Sequence, residues 1–316
     1  MGITNFPYGV SSFGIPVVPA GIPATTGTVF FVCNRTNANG SDGNSGLTPT
    51  QPLATLQAAI TKCTSGAGDV VVCMAGHAET VTATSIALNV AGVTVIGLGT
   101  GLGRPTFTFG AAAATITVSV ANCSWVNTNL VANFLSVVTA FSLTTAKDFQ
   151  LTDNTIYDTS AALDFLSIVT TNATANAADG LTVQRNYYWS LPTTDAAFIS
   201  ILGACDRLLV TDNYVDKAAT NDAGHFITQA ALVCRGARIL RNQLNVVGAT
   251  NAAVGIFMTG SSTTNTGMLA LNYVTSLDTT TALLLTAALG YAVHENYVSG
   301  VVANSGTLFP VADNPA

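Results

Sequence analysis

From about residue 90 onward the chain alternates apolar and polar positions in short bursts separated by glycine, asparagine and aspartate, which is the period-two signature of half-buried β-strands. "GVTVIGLG" is the first clear burst. A recurring phrase follows: "FQLTDNTIYD", "LTVQRNYYWS", "LLVTDNYVDK", "ARILRNQLNV", "GMLALNYVTS", "YAVHENYVSG". The phrases align on Asn154, Asn186, Asn213, Asn242, Asn272 and Asn296. Three residues before each asparagine stands an apolar residue: Leu151, Val183, Val210, Ile239, Leu269 and Val293. Two residues after stands another: Ile156, Tyr188, Val215, Leu244, Val274 and Val298. Asp153, Arg185, Asp212, Arg241 and Glu295 directly precede five of the asparagines, at a position that should face outward.

The asparagines are 32, 27, 29, 30 and 24 residues apart. A period in this range marks a solenoid, propeller or array. The units are strand-like with no helical pattern between them, which excludes ankyrin, armadillo and tetratricopeptide units. They are too short for propeller blades, and their uneven length suits a solenoid whose turns carry loops of different size. In a parallel β-helix each coil lies about 4.8 Å from the last, so a residue at a tight corner meets its equivalent in the next coil. Asparagine tolerates left-handed backbone angles, and its amide can bond to the amides above and below. The six asparagines are therefore expected to form a ladder. The predicted fold is all-β: a single-stranded right-handed parallel β-helix over 29–300, preceded by an extended arm over 1–28 and followed by a tail over 301–316.

One stretch breaks the strand pattern. "DGNSGLTPTQPLATLQAAITKC" passes from a loop into an apolar run through Leu53, Leu56, Ala59, Ile60 and Cys63 with helical spacing. The open first coil of a solenoid exposes both a sheet edge and the core, and proteins cover such edges. A short capping helix near 53–63 supplies that cover, and "GDVVVCM" then begins the first coil.

Composition narrows the function classes. Of 316 residues, 49% are hydrophobic and only 8% charged, which excludes a disordered chain. The longest apolar run, "ALLLTAALGYAV", is too short to span a bilayer. The Pro- and Gly-rich start lacks the basic segment and unbroken apolar core of a signal peptide, so synthesis in a cytosol is expected. A formal charge of −6 with ten Lys and Arg argues against nucleic acid. The one basic cluster, Arg235, Arg238 and Arg241, reads as a solvated face. Six scattered cysteines without a CxxC pair read as small buried hydrophobes rather than zinc ligands.

"GSDGNSGLTPTQPLATLQAAI" followed by "GDVVVCMAGHAETV" resembles the N-terminal cap and first coil of right-handed β-helix proteins of the pectate-lyase-like superfamily. The shared features are the Asp-x-Asn-x-Gly, the Pro-x-x-Pro, the Thr-Leu-x-x-Ala and the Gly-Asp, with Ala75-Gly76 where the family has Pro-Gly. This resemblance implies the fold. It leaves function open, because the fold carries lyases, hydrolases, adhesins and phage proteins alike. The N-terminal "MGITNFPYGVSSFGIPV" resembles the start of β-helix proteins encoded among the structural genes of tailed bacteriophages.

Lyases and tailspikes of this superfamily gather carboxylates, around calcium or in catalytic pairs. This chain has two glutamates, Glu79 and Glu295, and aspartates set mostly in turns. Asp148, Asp153 and Asp158 form the closest series and Asp212, Asp216 and Asp222 the next. His77 and Glu79 share one side of an extended strand but lack a third ligand. No catalytic residue, metal site or cofactor is assigned. Tyr187, Tyr214, Tyr273 and Tyr297 each follow a ladder asparagine and form a candidate aromatic surface for a glycan or a protein. Phe6, Tyr8, Phe13, Leu308 and Phe309 are candidate interface residues. The resemblance implies a bacteriophage virion protein, a decoration or cement protein on the capsid surface. Its expected partners are copies of itself, as a homotrimer, and the major capsid protein, with no membrane. In this reading the arm reaches to a neighbouring subunit or to the shell. The alternative is a tailspike or receptor-binding protein that binds or cleaves a polysaccharide.

Overall fold

The computed structural model describes residues 10–12, 15–17, 25–83, 85–191, 197–217, 225–229, 233–246, 256–258, 264–276, 283–285, 290–299, 302–304 and 307–308. The chain is a parallel β-helix. Among the described residues its first sheet has 11 strands, from Val29–Val32 to Thr307–Leu308. The second has nine, from Ala78–Val81 to Tyr297–Ser299, and the third has seven, from Ile86–Leu88 to Ile256–Met258. One coil illustrates the path: Ser124–Val126 lies in the first sheet, Asn129–Ala132 in the second and Phe141–Leu143 in the third. Gln150–Thr152 then returns to the first, paired in parallel with Ser124–Val126.

Alternation sends every second side chain inward. In the first sheet Val95, Trp125, Leu151, Val183, Val210, Ile239, Leu269 and Val293 are in register in successive coils. Phe107, Leu130, Ile156, Tyr188, Val215, Leu244 and Val274 do the same in the second. All are buried in one continuous core. Aromatic edges lock its early coils: the rings of Phe107 and Trp125 lie 4.9 Å apart and those of Trp125 and Phe141 5.3 Å apart, both edge-on. All six cysteines are free thiols. Burial raises the thiol pKa of Cys73 and Cys205 well above the ordinary value and that of Cys234 to about 11.

From Ser124–Val126 onward only two residues join the first sheet to the second, and from Gln150–Thr152 onward the second of them is the recurring asparagine. Asn154, Asn186, Asn213, Asn242 and Asn272 are buried. The backbone N–H and the side-chain Nδ2–H of each donate to Oδ1 of the next, at 2.9–3.1 Å, and the run continues to Asn296. The other Nδ2 proton reaches a carbonyl of the preceding coil, for example Asn213 to Val183 and Asn242 to Val210. The stack has a rung that no asparagine announces. Thr128 donates its N–H and its hydroxyl to Asn154 Oδ1, and Trp125 Nε1 donates to the Thr128 hydroxyl.

The left-handed residue of the corner is not the asparagine but the one before it. Asp153, Arg185, Asp212, Arg241, Leu271 and Glu295 have φ between 45° and 61°, as does Asn127 ahead of Thr128. The asparagine is thereby freed to aim its amide along the helix axis. Outside the corner the preceding residues pair by charge. Arg185 grips Asp153 with two bonds of 2.7 Å, and Arg241 grips Asp212 at 2.7 and 2.8 Å. Being exposed and screened by solvent, such pairs add little to stability.

The cap is shorter than the sequence pattern predicts. Helix α1 spans Leu56–Lys62 and buries Leu56, Ala59 and Ile60 against the first coil. Leu53 is not helical; it bridges Val32, exchanging backbone bonds with Phe31 and Cys33. Thr55 is the extended N-cap and accepts the Ala58 N–H.

Two outcomes are expected. Asn213→Leu leaves the N–H and Nδ2 donors of Asn186 without an acceptor and should cost about 2–4 kcal/mol in urea unfolding; a loss below 0.5 kcal/mol, in order-of-magnitude terms, would deny the ladder a structural role. Leu271 holds a left-handed angle that costs a branched residue roughly 1–2 kcal/mol. Leu271→Asn should therefore raise the unfolding midpoint, corresponding to a gain of about 0.5–1 kcal/mol.

Candidate functional site

The residues that the sequence marks for chemistry fall into two groups, those spent on the frame and those presented outward. His77 and Glu79 belong to the first. The buried His77 ring accepts the Asn34 N–H at Nδ1, and its Nε2 lies 3.2 Å from Glu79 Oε2. The same Glu79 oxygen accepts the N–H of Leu56, at the start of helix α1. Asp42 accepts the N–H groups of Ala54 and Thr55 and the Thr55 hydroxyl, all at 2.9 Å. Asp69 is buried and accepts from Thr28 and Thr64, tying the first strand to the exit of the cap. The acidic residues of the cap motifs thus satisfy amide groups that a helix start and a chain crossing leave orphaned.

The aspartate series do not converge. Asp153 faces Arg185 at the asparagine corner. Asp148 faces Arg207 at the corner between the third and first sheets. Gly180, in the coil between them, leaves room for the pair: a Cβ at this glycine, whose φ is +76°, would meet the Asp148 carboxylate at 2.0 Å. Asp212 pairs with Arg241, whose hydrogen bond lowers its pKa below the usual carboxylate value. Of the basic cluster, Arg235 faces Asp206 and Arg241 faces Asp212, while Arg238 is exposed on the first sheet. Asp222 lies outside the described residues.

Asp158 ends a strand of the second sheet with its side chain turned inward. It accepts the N–H groups of Phe165 and Leu191 and the Tyr188 hydroxyl. Burial pushes its pKa up to about 7, against the pull of these donors. Asp164, which no sequence motif singles out, lies close enough to raise it further and itself accepts the Ser136 N–H. Ser190 and Lys217 occupy neighbouring coils at the same level, both buried, and Ser190 Oγ has no hydrogen-bond partner.

The outward group lies on the second sheet. Thr155, Tyr187, Tyr214, Gln243, Tyr273 and Tyr297 form one column by strand register. Tyr157, Trp189, Asp216, Asn245 and Thr275 form a second beside it. Tyr187 and Tyr214 stack at 5.2 Å with ring planes 14° apart, and Tyr273 and Tyr297 at 5.7 Å and 29°. Gln243 separates the two pairs, so the four tyrosines form two stacks rather than one. Asn245 donates to the Tyr214 hydroxyl at 2.7 Å and accepts from Thr275 at 2.8 Å. Tyr187, Trp189, Tyr273 and Tyr297 are each 41–58% exposed. The face therefore offers fixed rings with hydrogen-bonding groups between them, suited to a flat partner with both apolar and polar edges. Of the candidate interface residues, Phe6, Tyr8, Phe13 and Phe309 lie outside the described residues, and Leu308 ends the strand Thr307–Leu308. Among the described residues no group of three His, Cys, Asp or Glu could hold a metal ion, and no helix is long and apolar enough to cross a membrane.

The Asp158 carboxyl ionises near pH 3.9 in an unfolded chain but near 7 in the fold. Between those values the folded protein holds a proton that the unfolded chain lacks. Its contribution to stability is therefore greatest below pH 4 and is lost as pH rises to 7, by up to ~1.4 kcal/mol per unit. Urea midpoints measured between pH 4.5 and 7.5 should fall with pH more steeply in the native protein than in Asp158→Asn. Parallel slopes would mean that the carboxyl titrates normally.

No family model matches the chain, and no curated protein matches it. Among solved structures it is similar to a rhamnogalacturonan lyase at 12% identity and a TM-score of 0.48, over 89% of this chain and 87% of that one. It is also similar to the GH136 lacto-N-biosidase from Eubacterium ramulus at 10% identity and a TM-score of 0.28, over 87% of this chain and 68% of that one.

Proposed function

We propose that this chain is a structural protein of a tailed-bacteriophage particle, a decoration or cement protein of the capsid. It works as a stiff β-helical rod that makes contacts through the outer face of its second sheet. The observation that carries this reading is how the chemistry-bearing side chains are used. His77, Glu79, Asp42 and Asp69 hold the cap, and Asp153, Asp212 and Asp148 pair with arginines along the corners. What the rod turns outward is a fixed aromatic and amide surface. The resemblance of residues 1–17 to phage structural proteins supplies the setting. A nearly uncharged flank favours association with further copies, for which closed symmetric assemblies such as a trimer are the common solution, and with the major capsid protein.

A second reading draws on the same face. Exposed tyrosine and tryptophan rings beside Asp216, Gln243 and Asn245 are also the chemistry that holds a polysaccharide, by stacking on sugar rings and bonding their hydroxyls. That reading makes the protein a receptor-binding or tailspike component.

An electron-microscopy map of purified particles separates the two. Rod-shaped density repeating on the capsid lattice is the expected result. Density at the tail tip, together with saturable quenching of Trp189 fluorescence by host polysaccharide, would replace the first reading by the second.

A further inference from the structure

Two charges stand apart from the pairing along the corners. Asp148, Asp153, Asp206 and Asp212 each face an arginine of the same chain. Asp216 and Arg238 do not: among the described residues neither forms an ion pair. Each is also alone on its surface. Among the described strands, Asp216 is the one Asp, Glu, Lys or Arg on the outer face of the second sheet, and Arg238 is the one such residue in the first sheet.

Both charges sit in apolar surroundings. Asp216 follows the exposed Trp189 in its column and lies two residues from Tyr214, which stacks on Tyr187. After burial, the Asp216 charge is the next largest cause raising the pKa of the Tyr187 hydroxyl, so the two are close. Arg238 is exposed between Leu209 and Met268 in its column, with Leu240 two residues along the same strand. The two residues belong to consecutive coils: Leu209–Thr211 and Tyr214–Lys217 lie in one, and Ala237–Leu240 opens the next. Their heights along the rod therefore differ by one strand spacing, about 4.8 Å, a step that an arginine side chain spans.

We propose, on the reading that the outer face of the second sheet makes this protein's contacts, that its occupant is a second copy of the chain: Asp216 of one subunit receives Arg238 of the next. Charge complementarity selects this occupant. An aromatic face with a single carboxylate meets an aliphatic face with a single guanidinium, which stacks on the rings while it bonds the carboxylate. Burying Asp216 against a face without a cation would leave its charge unpaired and costly. Two different patches in contact make a heterologous interface, which closes into a ring when the copies stand level and winds into a filament when they are staggered. The near-equal height of Asp216 and Arg238 selects the ring, with the rods side by side about an axis parallel to their own. A two-fold contact pairs a patch with itself, so three copies form the smallest such ring.

Sedimentation velocity of the full-length protein at micromolar concentration tests the pair. The native chain should sediment as a closed oligomer of one size. Asp216→Arg and Arg238→Asp each bring like charges together and should raise the dissociation constant of the assembly on the order of tenfold or more. The double variant Asp216→Arg/Arg238→Asp restores an opposite pair at every interface and should recover native assembly to within about threefold. Far-UV circular dichroism checks that each variant is folded; Asp216→Asn and Arg238→Gln replace a reversal that is not. A native chain that is monomeric, single variants that assemble as the native chain does, or a folded double variant that fails to recover would each overturn the proposal. Trp189→Ala separates it from the reading beneath it. If Trp189→Ala weakens assembly while the charge variants do not, the second-sheet face remains a contact surface and Arg238 is not its partner. If none of these variants changes assembly or binding to purified particles, the contact role of the face falls as well.

Discussion

A buried amide must be matched on both its oxygen and its nitrogen, and that requirement organises this molecule. Each ladder asparagine gives Oδ1 to two donors of the preceding rung and both Nδ2 protons to acceptors, so its polar capacity is nearly filled. The match works only if successive corners are one coil apart and in register. A slip of one residue would turn each strand's apolar column outward. The ladder thus fixes the register of two sheets at once, and the third sheet follows through the core it shares with them. The cost is a left-handed residue ahead of every rung, which the chain accepts even at Arg185, Arg241 and Leu271. That strain is tolerated because the alternative is a buried, unpaired amide worth about 1–3 kcal/mol.

The same logic accounts for the two ends of the ladder. At its start the chain substitutes threonine, whose hydroxyl gives and takes one bond each, and supplies the missing donor from Trp125. The aromatic cluster of the early coils therefore terminates the ladder as well as filling the core. Ahead of it, the carboxylates of Asp42, Asp69 and Glu79 perform the matching that asparagine performs later, each accepting main-chain N–H groups where the chain starts a helix or crosses itself. Charge is scarce in this protein, and a large part of it serves the backbone.

Much of this architecture was legible in the sequence, because a solenoid repeats its physical problem and so repeats its solution. The apolar residues at fixed offsets from Asn186 and Asn213 identify the inward columns without further information. Thr128 was not legible, since Asn127 and Asn129 flank it and threonine meets the rung's needs without matching the pattern. The corner angle was misassigned to asparagine, because its tolerance of left-handed φ is a general property, whereas here its amide is needed elsewhere. Leu53 carries helical spacing yet bridges Val32, as tertiary pairing outweighs periodicity in a short segment. The aromatic surface was legible as a set of tyrosines, but Gln243 showed its effect only once the strand register was known. The burial of Asp158 and Asp164 has no local sequence signal, because it depends on loops from neighbouring coils meeting one carboxylate.

Amide hydrogen exchange in the native protein tests the ladder most directly, since each rung's main-chain N–H is bonded to the next side chain rather than to a strand. If the stack holds the coils in register, the N–H groups of Thr128, Asn154, Asn186, Asn213 and Asn242 should exchange only by global unfolding, as slowly as core-strand amides such as those of Leu151 and Val183. Exchange of these five at the fast rates of surface turns, with the strands still protected, would show that the asparagines merely occupy the corners and that the coils are held by the strands alone.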